Sequence, residues 1–500
     1  MRKVTVHEQQ ALPWEGYNPS TMTPLLDRVR LSATILAARL AQLGSRMLKK
    51  GGGTTLPGVV ARRVDPEVLA KLSKRLRQGS VAITGTNGKT TTTRMVAKIL
   101  QNAGIRVVSN SSGANLVTGV SAALVSDTSL SGRPASEMGL FEVDEASVPK
   151  VAAEAKLSLL AVLNLFRDQL DRYGELAHVA KVITSAFEDL APGSSVVLNA
   201  DDPLVTSLGR AAESAVYFGV EDSALDTATL QHVADSKDCP VCGTPLRYDT
   251  VYFGHVGLYR CPRCSFARPE PAYKATRVQM DGPRGGTDFH LTTPEGEYEA
   301  RVGLPGLYNL YNALAAATVA GEAGVKAETV IWGLKEFGGA FGRVERVRAG
   351  DREVFLLLIK NPVGFNEVLR TFVASSAHKA GVDTARRLLV AINDNHADGR
   401  DVSWLWDVDF EMLADARADG ETGARIDVSG LRAQDMAVRL KYAGLPVASV
   451  VSDCREALMS ALDATPPGET LYVLPTYTAM LELRQTLSDL GYTYPFWEDR

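Results

Sequence analysis

The run Val81-Ala82-Ile83 breaks into Gly85-Thr86-Asn87-Gly88-Lys89-Thr90, and an amphipathic segment begins near Thr91. Strand, glycine loop, helix is the order a phosphate-binding loop requires, and it commits the surrounding chain to an α/β fold. Gly85 and Gly88 let the backbone turn its N–H groups inward, Lys89 sets a cation between phosphates, and Thr90 offers a hydroxyl to Mg²⁺. Only Thr86 and Asn87 separate the two glycines, so the loop is shorter than the usual G-x-x-x-x-G-K-[ST]. A glycine loop alone is a weak signal. Its strand and helix flanks, and the threonines from Thr90 to Thr93, give it weight.

Strand-like runs continue at Arg106 to Ser109, Gly139 to Val143, Leu159 to Leu163 and Ser194 to Leu198, with helical stretches between them. Such alternation implies a parallel sheet with helices on both faces, binding ligands at the C-terminal strand ends. Carboxylates and amides collect at those ends: Glu142, Asp144 and Glu145; Asn164 and Asp168; Asn199-Ala200-Asp201-Asp202-Pro203. Any one of them alone reads as a helix cap or a solvated turn. Behind a phosphate loop, the set suits Mg²⁺ and a nucleotide ribose. Asn309 and Asn312 open an alanine-rich helix after Gly306, and Gly342-Arg343-Val344-Glu345 ends this first region, with Arg343 placed to close over a transferred phosphate. Val354 to Ile359, Arg387 to Ile392, Val447 to Val451 and Leu471 to Leu474 then outline a second α/β domain, with no glycine loop of its own.

Five hundred residues exceed what one core usually supports. The expected division is an N-terminal extension (1–55), an ATP-binding domain (56–345) and a C-terminal α/β domain (346–500). In the extension, Leu31 to Leu43 reads as an amphipathic surface helix; a helix lying on a membrane shares that pattern. Leu56-Pro57-Gly58 reads as a turn leading to a helix with Leu69, Leu72 and Leu76 on its apolar face. No run has the 18 or so apolar residues a membrane span needs, and nothing resembles a signal peptide, so a cytoplasmic location is expected. A net charge of −4 gives no electrostatic footprint for nucleic acid.

Cys239-Pro240-Val241-Cys242 and Cys261-Pro262-Arg263-Cys264 are two C-x-x-C knuckles, read as a closed four-cysteine zinc-ribbon insert at about 235–270. Four thiolates leave no open coordination position, so the zinc is structural. The ribbon is poor in basic residues, which argues against a nucleic-acid role. Cys454 stands apart, without a glycine-rich elbow around it, and reads as structural.

Gly85 to Thr91, Glu142, Asn164 with Asp168-Gln169-Leu170-Asp171, Asn199 to Pro203, Gly306 with Asn309 and Asn312, and Gly342-Arg343 together resemble the ATP-dependent Mur ligase family. Its enzymes phosphorylate a carboxylate with ATP and let an amine displace phosphate. Gln169 and Lys360 stand where those ligases usually have histidines, their UDP-binding N-terminal domain is not expected with a phosphate loop that begins near Gly85, and the four-cysteine insert is foreign to them. Those departures, with Lys360-Asn361-Pro362-Val363-Gly364-Phe365-Asn366 and Gly399-Arg400-Asp401, are similar to the MurT-type branch, the synthetase subunits of lipid II isoglutaminyl synthase.

The resemblance implies a central P-loop sheet domain with the zinc insert and a Rossmann-like C-terminal domain. The implied reaction is amidation of the D-glutamate α-carboxylate of the lipid II stem peptide in peptidoglycan synthesis. It implies phosphate cradling by Gly85, Thr86, Asn87, Gly88, Lys89, Thr90 and Thr91, Mg²⁺ on Thr90 and Glu142, adenine or ribose contacts at Asn309 and Asp202, and Arg343 near the phosphate. It also implies a heterodimer with a GatD-type glutaminase whose triad Asp401 completes; without the resemblance, Asp401 reads as a helix cap. A glutaminase needs a nucleophilic cysteine, which this chain does not offer, so a partner is expected on that ground too. The alternative activity is a Mur or folylpolyglutamate-type ligase that adds an amino acid to a carboxylate.

Overall fold

The computed structural model describes residues 25–47, 55–110, 113–167, 176–227, 235–281, 285–337, 344–374, 387–415 and 424–494. The strands of the first part are β1 (Ser80–Thr84), β2 (Val107–Ser109), β3 (Met138–Glu142), β4 (Leu157–Val162), β5 (Ser195–Asn199), β6 (Ala215–Val220), β7 (Arg247–Phe253), β8 (Val256–Arg260), β9 (Tyr273–Met280), β10 (Thr287–Thr293) and β11 (Gly296–Val302). Nine of them form one sheet in the order β11-β10-β9-β6-β5-β4-β1-β3-β2, while β7 and β8 pair as a separate hairpin. From β2 to β9 the neighbours are parallel, as the alternating pattern predicts, but β10 runs antiparallel to both β9 and β11. This three-stranded edge departs from the expected all-parallel sheet. Its residues alternate buried and half-buried along β10, the pattern of a strand with one wet face.

Every residue of β1 is buried, because helices cover both faces. Val81 and Ile83 face a core shared with the Lys89–Asn102 and Leu307–Glu322 helices, and Ala82 faces the opposite core. The Leu25–Met47 helix sets Leu31, Ile35 and Ala38 into that second core and packs on the Leu56–Val64 and Val117–Asp127 helices, so it is part of the first unit rather than appended to it. Burying Leu31 and Ile35 contributes about 1.5–3 kcal/mol each. Leu56-Pro57-Gly58 is not a turn: it opens the Leu56–Val64 helix. Proline is tolerated in a first helical turn, and a side chain on Gly58 would meet the Thr118 carbonyl, so that glycine permits close helix packing.

The second sheet contains β12 (Val344–Ala349), β13 (Arg352–Leu357), β14 (Arg387–Ala391), β15 (Arg425–Ser429), β16 (Val447–Val451) and β17 (Thr470–Pro475), in the order β12-β13-β17-β14-β15-β16. Only the β12–β13 pair is antiparallel. Val344 and Glu345 lie in β12, so they start the second sheet instead of closing the first region. Both sheets contain a point where strand order reverses. In the first, β2 and β3 lie on one side of β1 and β4 on the other; in the second, β15 and β16 lie on one side of β14 and β17 on the other. Loops at the carboxyl ends of such strands open a crevice.

Candidate nucleotide site

The loop after β1 needs both of its glycines. Gly85 and Gly88 have φ of +131° and +89°. A Cβ on Gly88 would stand 2.1 Å from Asn312 Oδ1, and one on Gly85 would stand 3.0 Å from the Asn164 backbone. Asn164, just after β4, brackets the loop tip: its Oδ1 accepts from the Asn87 N–H at 2.8 Å and its Nδ2 donates to the Asn87 carbonyl at 3.0 Å. Thr86 Oγ1 accepts from the Phe166 N–H at 2.9 Å.

Lys89 is the first residue of the following helix, and its buried ammonium folds back over the loop. Nζ donates to the Gly85 carbonyl at 2.5 Å and to Glu145 Oε1 at 3.0 Å. Burial alone would lower the Lys89 pKa, but Glu145, Glu142 and Asp144 outweigh it and hold the ammonium above its ordinary value. Burial would likewise raise Glu145, yet Lys89, its own backbone N–H and Lys360 draw it below the usual carboxylate range. Glu142 is buried nearby, and no hydrogen bond from the described residues occupies its carboxylate. The loop therefore carries a permanent cation whose counter-charge is a neighbouring carboxylate, an arrangement in which an incoming phosphate competes for Lys89.

A cavity of about 100 Å³ is lined by Asn87, Gly88, Thr91, Asn164, Asn199, Asn309, Asn312 and the rings of Tyr308, Tyr311 and Phe253. Its opposite wall comes from the segment after β13 and the Pro362–Val368 helix: Leu358, Lys360, Val363, Gly364, Glu367 and Val368. The two walls are tied together by an amide pair. Asn361 Nδ2 donates to Asn87 Oδ1 at 3.0 Å, and Asn87 Nδ2 donates to Asn361 Oδ1 at 3.4 Å. Burial pushes the Glu367 carboxyl up to about 7, against the pull of Arg370 3.3 Å away.

The structure thus brings together Gly85, Thr86, Asn87, Gly88, Lys89, Thr91, Glu142 and Asn309, with Thr90 beside them in the first helical turn. Asn309 Nδ2 is held by the Pro305 carbonyl at 2.7 Å, and its Oδ1 accepts from Asn312 Nδ2 at 3.3 Å. Asp202 is placed apart from the cavity wall. Fully buried, it caps the Pro203–Leu208 helix through the Leu204 and Val205 N–H groups and accepts from the Leu165 N–H at 2.9 Å. Arg343 and Asp168, with Gln169, Leu170 and Asp171, lie outside the described residues.

The four knuckle cysteines converge, their sulfurs all within 4.8 Å of one another. Cys239 and Cys264 Sγ are 3.6 Å apart, and Cys242 and Cys261 Sγ are 3.5 Å apart. Thiolates set tetrahedrally at ~2.3 Å from zinc lie ~3.8 Å from each other, so the donor set fits that ion.

A family model for the Mur ligase middle domain matches residues 83–256, and one for the MurT ligase C-terminal region matches residues 358–480. The MurT subunit of the glutamine-hydrolysing lipid II isoglutaminyl synthase of Staphylococcus aureus (strain N315) is 33% identical over 92% of this chain and 98% of its own length. The corresponding subunit of Streptococcus pneumoniae (strain ATCC BAA-255 / R6) is 34% identical over 88% of this chain and 93% of its own. The chain belongs to the MurT family of Mur ligases. Solved structures with the same fold include a pseudomurein peptide ligase type C from Methanothermus fervidus (TM-score 0.63, 23% identity, 84% of this chain and 80% of that one). MurF from Acinetobacter baumannii aligns with TM-score 0.60 at 17% identity, over 87% of this chain and 81% of that one.

In this MurT-family chain the loop after β14 carries Asp401 at its exposed end. Asp398 braces the loop by accepting from the Thr478 N–H at 2.8 Å, and Asn393 is bonded to Thr476, Thr478 and Glu482. Asp401 Oδ1 accepts from the Ser403 N–H at 2.8 Å ahead of the Ser403–Asp407 3₁₀ turn, and that bond holds its carboxyl below the usual range. Capping and an outward position coexist in this residue. Cys454 is buried, and burial pushes its thiol up to about 11, the opposite of an activated nucleophile. Sequence reading gave no role to Lys360, Asn361 or Glu367, and it placed Glu145 only within the set of rim carboxylates suited to Mg²⁺ and a ribose. Glu145 carried a signal as one of three carboxylates after β3, but which of them pairs with Lys89 depends on three-dimensional placement.

Proposed function

We propose that this chain is the synthetase subunit of a lipid II isoglutaminyl synthase, an ATP-dependent carbon–nitrogen ligase that amidates the D-glutamate α-carboxylate of the stem peptide. The observation that carries the reading is full-length kinship with MurT subunits, at one-third identity, across both the phosphate-loop part and the part that holds Asp401. A carboxylate is a poor electrophile at neutral pH. Its oxygen attacks the γ-phosphorus of ATP, ADP leaves, and the product is an acyl phosphate. Ammonia then attacks the acyl carbon and phosphate departs with its oxygen. Lys89, released from Glu145, neutralises charge on the transferring phosphoryl group, and Lys360 faces it from the opposite wall. Thr90 and Glu142 would hold Mg²⁺, which supplies further charge neutralisation. Asn309 would meet the base; Asp202 would act on the nucleotide only indirectly, through the Leu165 backbone it holds.

On this reading ammonia comes from a glutaminase of the GatD type, and the exposed Asp401 carboxylate projects toward that partner. The four-cysteine cluster is a structural zinc-ribbon site. The ATP-binding unit runs from about Leu56 to the segment before Val344, with the Leu25–Met47 helix packed onto it, and the second unit begins at Val344. No described helix is long and apolar enough to cross a membrane; the enzyme would meet its lipid-linked acceptor from the cytoplasmic side.

The decisive experiment pairs the purified chain with a GatD-type glutaminase, lipid II and ATP, and follows carboxyl-to-amide conversion by mass spectrometry. Amidation with either glutamine or ammonium is the expected result. Incorporation of an amino acid instead would overturn it in favour of a peptide-extending ligase.

A further inference from the structure

The β7–β8 hairpin carries the cysteine cluster at one end and the cavity wall at the other. Cys261 directly follows β8, and the other knuckle precedes β7. At the opposite end the turn Phe253-Gly254-His255-Val256 is driven into the crevice between the two sheets. Phe253 lines the cavity and meets Tyr311 edge-on, ring centres 5.5 Å apart. His255 is fully buried, packs on Phe166 at 4.8 Å, and points Nε2 toward Asp202 Oδ2 at 3.4 Å.

Two more bonds pin the hairpin to the end of β5. The Gly257 N–H donates to the Asp201 carbonyl at 2.9 Å, and Tyr259 OH donates to the Ala200 carbonyl at 3.1 Å. The tip is braced from within, where Tyr248 OH donates to the His255 carbonyl at 2.9 Å. A two-stranded hairpin is marginal without support. This one has an apolar cluster of Leu246, Tyr259 and Phe266 around the cysteines, and its tip is buried against three neighbours.

We propose that the four-cysteine hairpin is the element that positions the base end of the nucleotide cavity, with Phe253 as the aromatic face on which the base packs. The cavity supports this assignment: the loop tip Asn87-Gly88, with Asn312 against it, forms one side, and Phe253, Tyr308 and Tyr311 with the Asn309 amide add the aromatic faces and polar edge a flat heterocycle requires. Filling the cysteine site fixes the register of β7 against β8 and so the depth of Phe253. Metal occupancy is therefore read out as nucleotide affinity, at a distance from the phosphates. The inference rests on the reading of the cavity as an ATP site.

The test is calorimetric titration of MgATP into the full-length chain, comparing wild type, Phe253→Ala, Phe253→Trp, Asn309→Ala and wild type treated with a zinc chelator. Base–aromatic stacking is worth a factor of about ten or more, so Phe253→Ala should raise Kd by at least ~10-fold while Phe253→Trp restores most of it. In turnover assays Phe253→Ala should raise KM for ATP and leave kcat at saturation close to wild type. Chelation should weaken ATP binding by a similar factor. Hydrogen exchange should then rise at residues 247–260 and 199–205 but not in β14 or β17, which separates local loosening from unfolding. Unchanged affinity in Phe253→Ala alongside a weakened Asn309→Ala would overturn the hairpin's role and keep the ATP site. Unchanged affinity in both would remove the ATP reading of this cavity itself. Chelated protein that binds ATP normally would overturn the metal coupling.

Discussion

The loops after β1 and after β14 both stand where strand order reverses, yet they are finished in opposite ways. After β1, a buried cation closes onto a buried carboxylate, Lys89 onto Glu145, and both shift their titration to stay charged. After β14, the amides and Thr478 brace the backbone, and Asp401 is left at the surface with a single backbone donor. A buried ion pair costs desolvation, which is justified where a charged ligand will take one partner's place. An exposed carboxylate on a stiff loop is inexpensive and accomplishes nothing until another surface meets it. On the proposed reading, the first loop is complete as a binding site and the second is half of one.

Removing the cation of the first loop is the most severe way to test that contrast. Lys89→Met should lower ATP-dependent amidation by ~10³-fold or more, since the charge acts on the transferring phosphoryl group. It should also destabilise the fold by about 3 kcal/mol, because Glu145 is left buried without its partner. Lys89→Met with Glu145→Gln should regain much of the stability in urea melts and none of the activity. If the double variant regains activity, Lys89 is a structural residue.

In the second loop the expected loss is as large but confined to one nitrogen source. Asp401→Asn should depress glutamine-driven amidation by about 10²–10⁴-fold, the scale of losing the orienting carboxylate of a catalytic triad. Ammonium-driven amidation should stay within about twofold of wild type, and equal losses on both substrates would mean that Asp401 serves only its own turn. The Ser403 contact is not the discriminator, because asparagine can accept the same N–H.

Much of this contrast was legible before any coordinates. Buried parallel strands announce themselves as short apolar runs, and a glycine loop between strand and helix has few other uses. The β9–β11 edge was missed because its half-wet strands follow the cysteine insert and break the alternation of strand and helix. Asp202 shows the opposite limit. A carboxylate before proline at a strand end reads alike whether it caps a helix or binds a ribose, and only its three backbone donors separate the two. Asn87 and Asn361 are 274 positions apart, and no local pattern joins them.

Glu367, on the wall facing the phosphate loop, adds a pH dependence. Its carboxyl titrates at about 7 in the folded chain, against ~4.3 when unfolded, so the folded state retains a proton that the unfolded state has lost. Stability from this group is intact below the unfolded pKa and declines as pH rises from ~4.3 through about 7. Glu367→Gln should therefore be more stable than wild type at pH 8 by about 3–4 kcal/mol and equal to it near pH 4. Urea denaturation at the two pH values measures the difference, and a constant gap would mean that the carboxyl is not protonated in the fold.

The smallest effect concerns the seam itself. Asn361→Ala removes both amide bonds to Asn87, and it also removes the cap acceptor for the Gly364 N–H at 2.9 Å. The lost cap costs about 1 kcal/mol of stability. Asn361→Asp keeps the cap, because its carboxylate still accepts from Gly364, but it cannot donate to Asn87. If the seam holds the loop tip in register with Lys360, Asn361→Asp should retain stability and lose activity by ~3–10-fold, about the value of one net hydrogen bond. If the two sheets meet at this point only by packing, Asn361→Asp should match wild type in both assays. The contrast between a self-sufficient first loop and a dependent second one would then need no communication across the crevice.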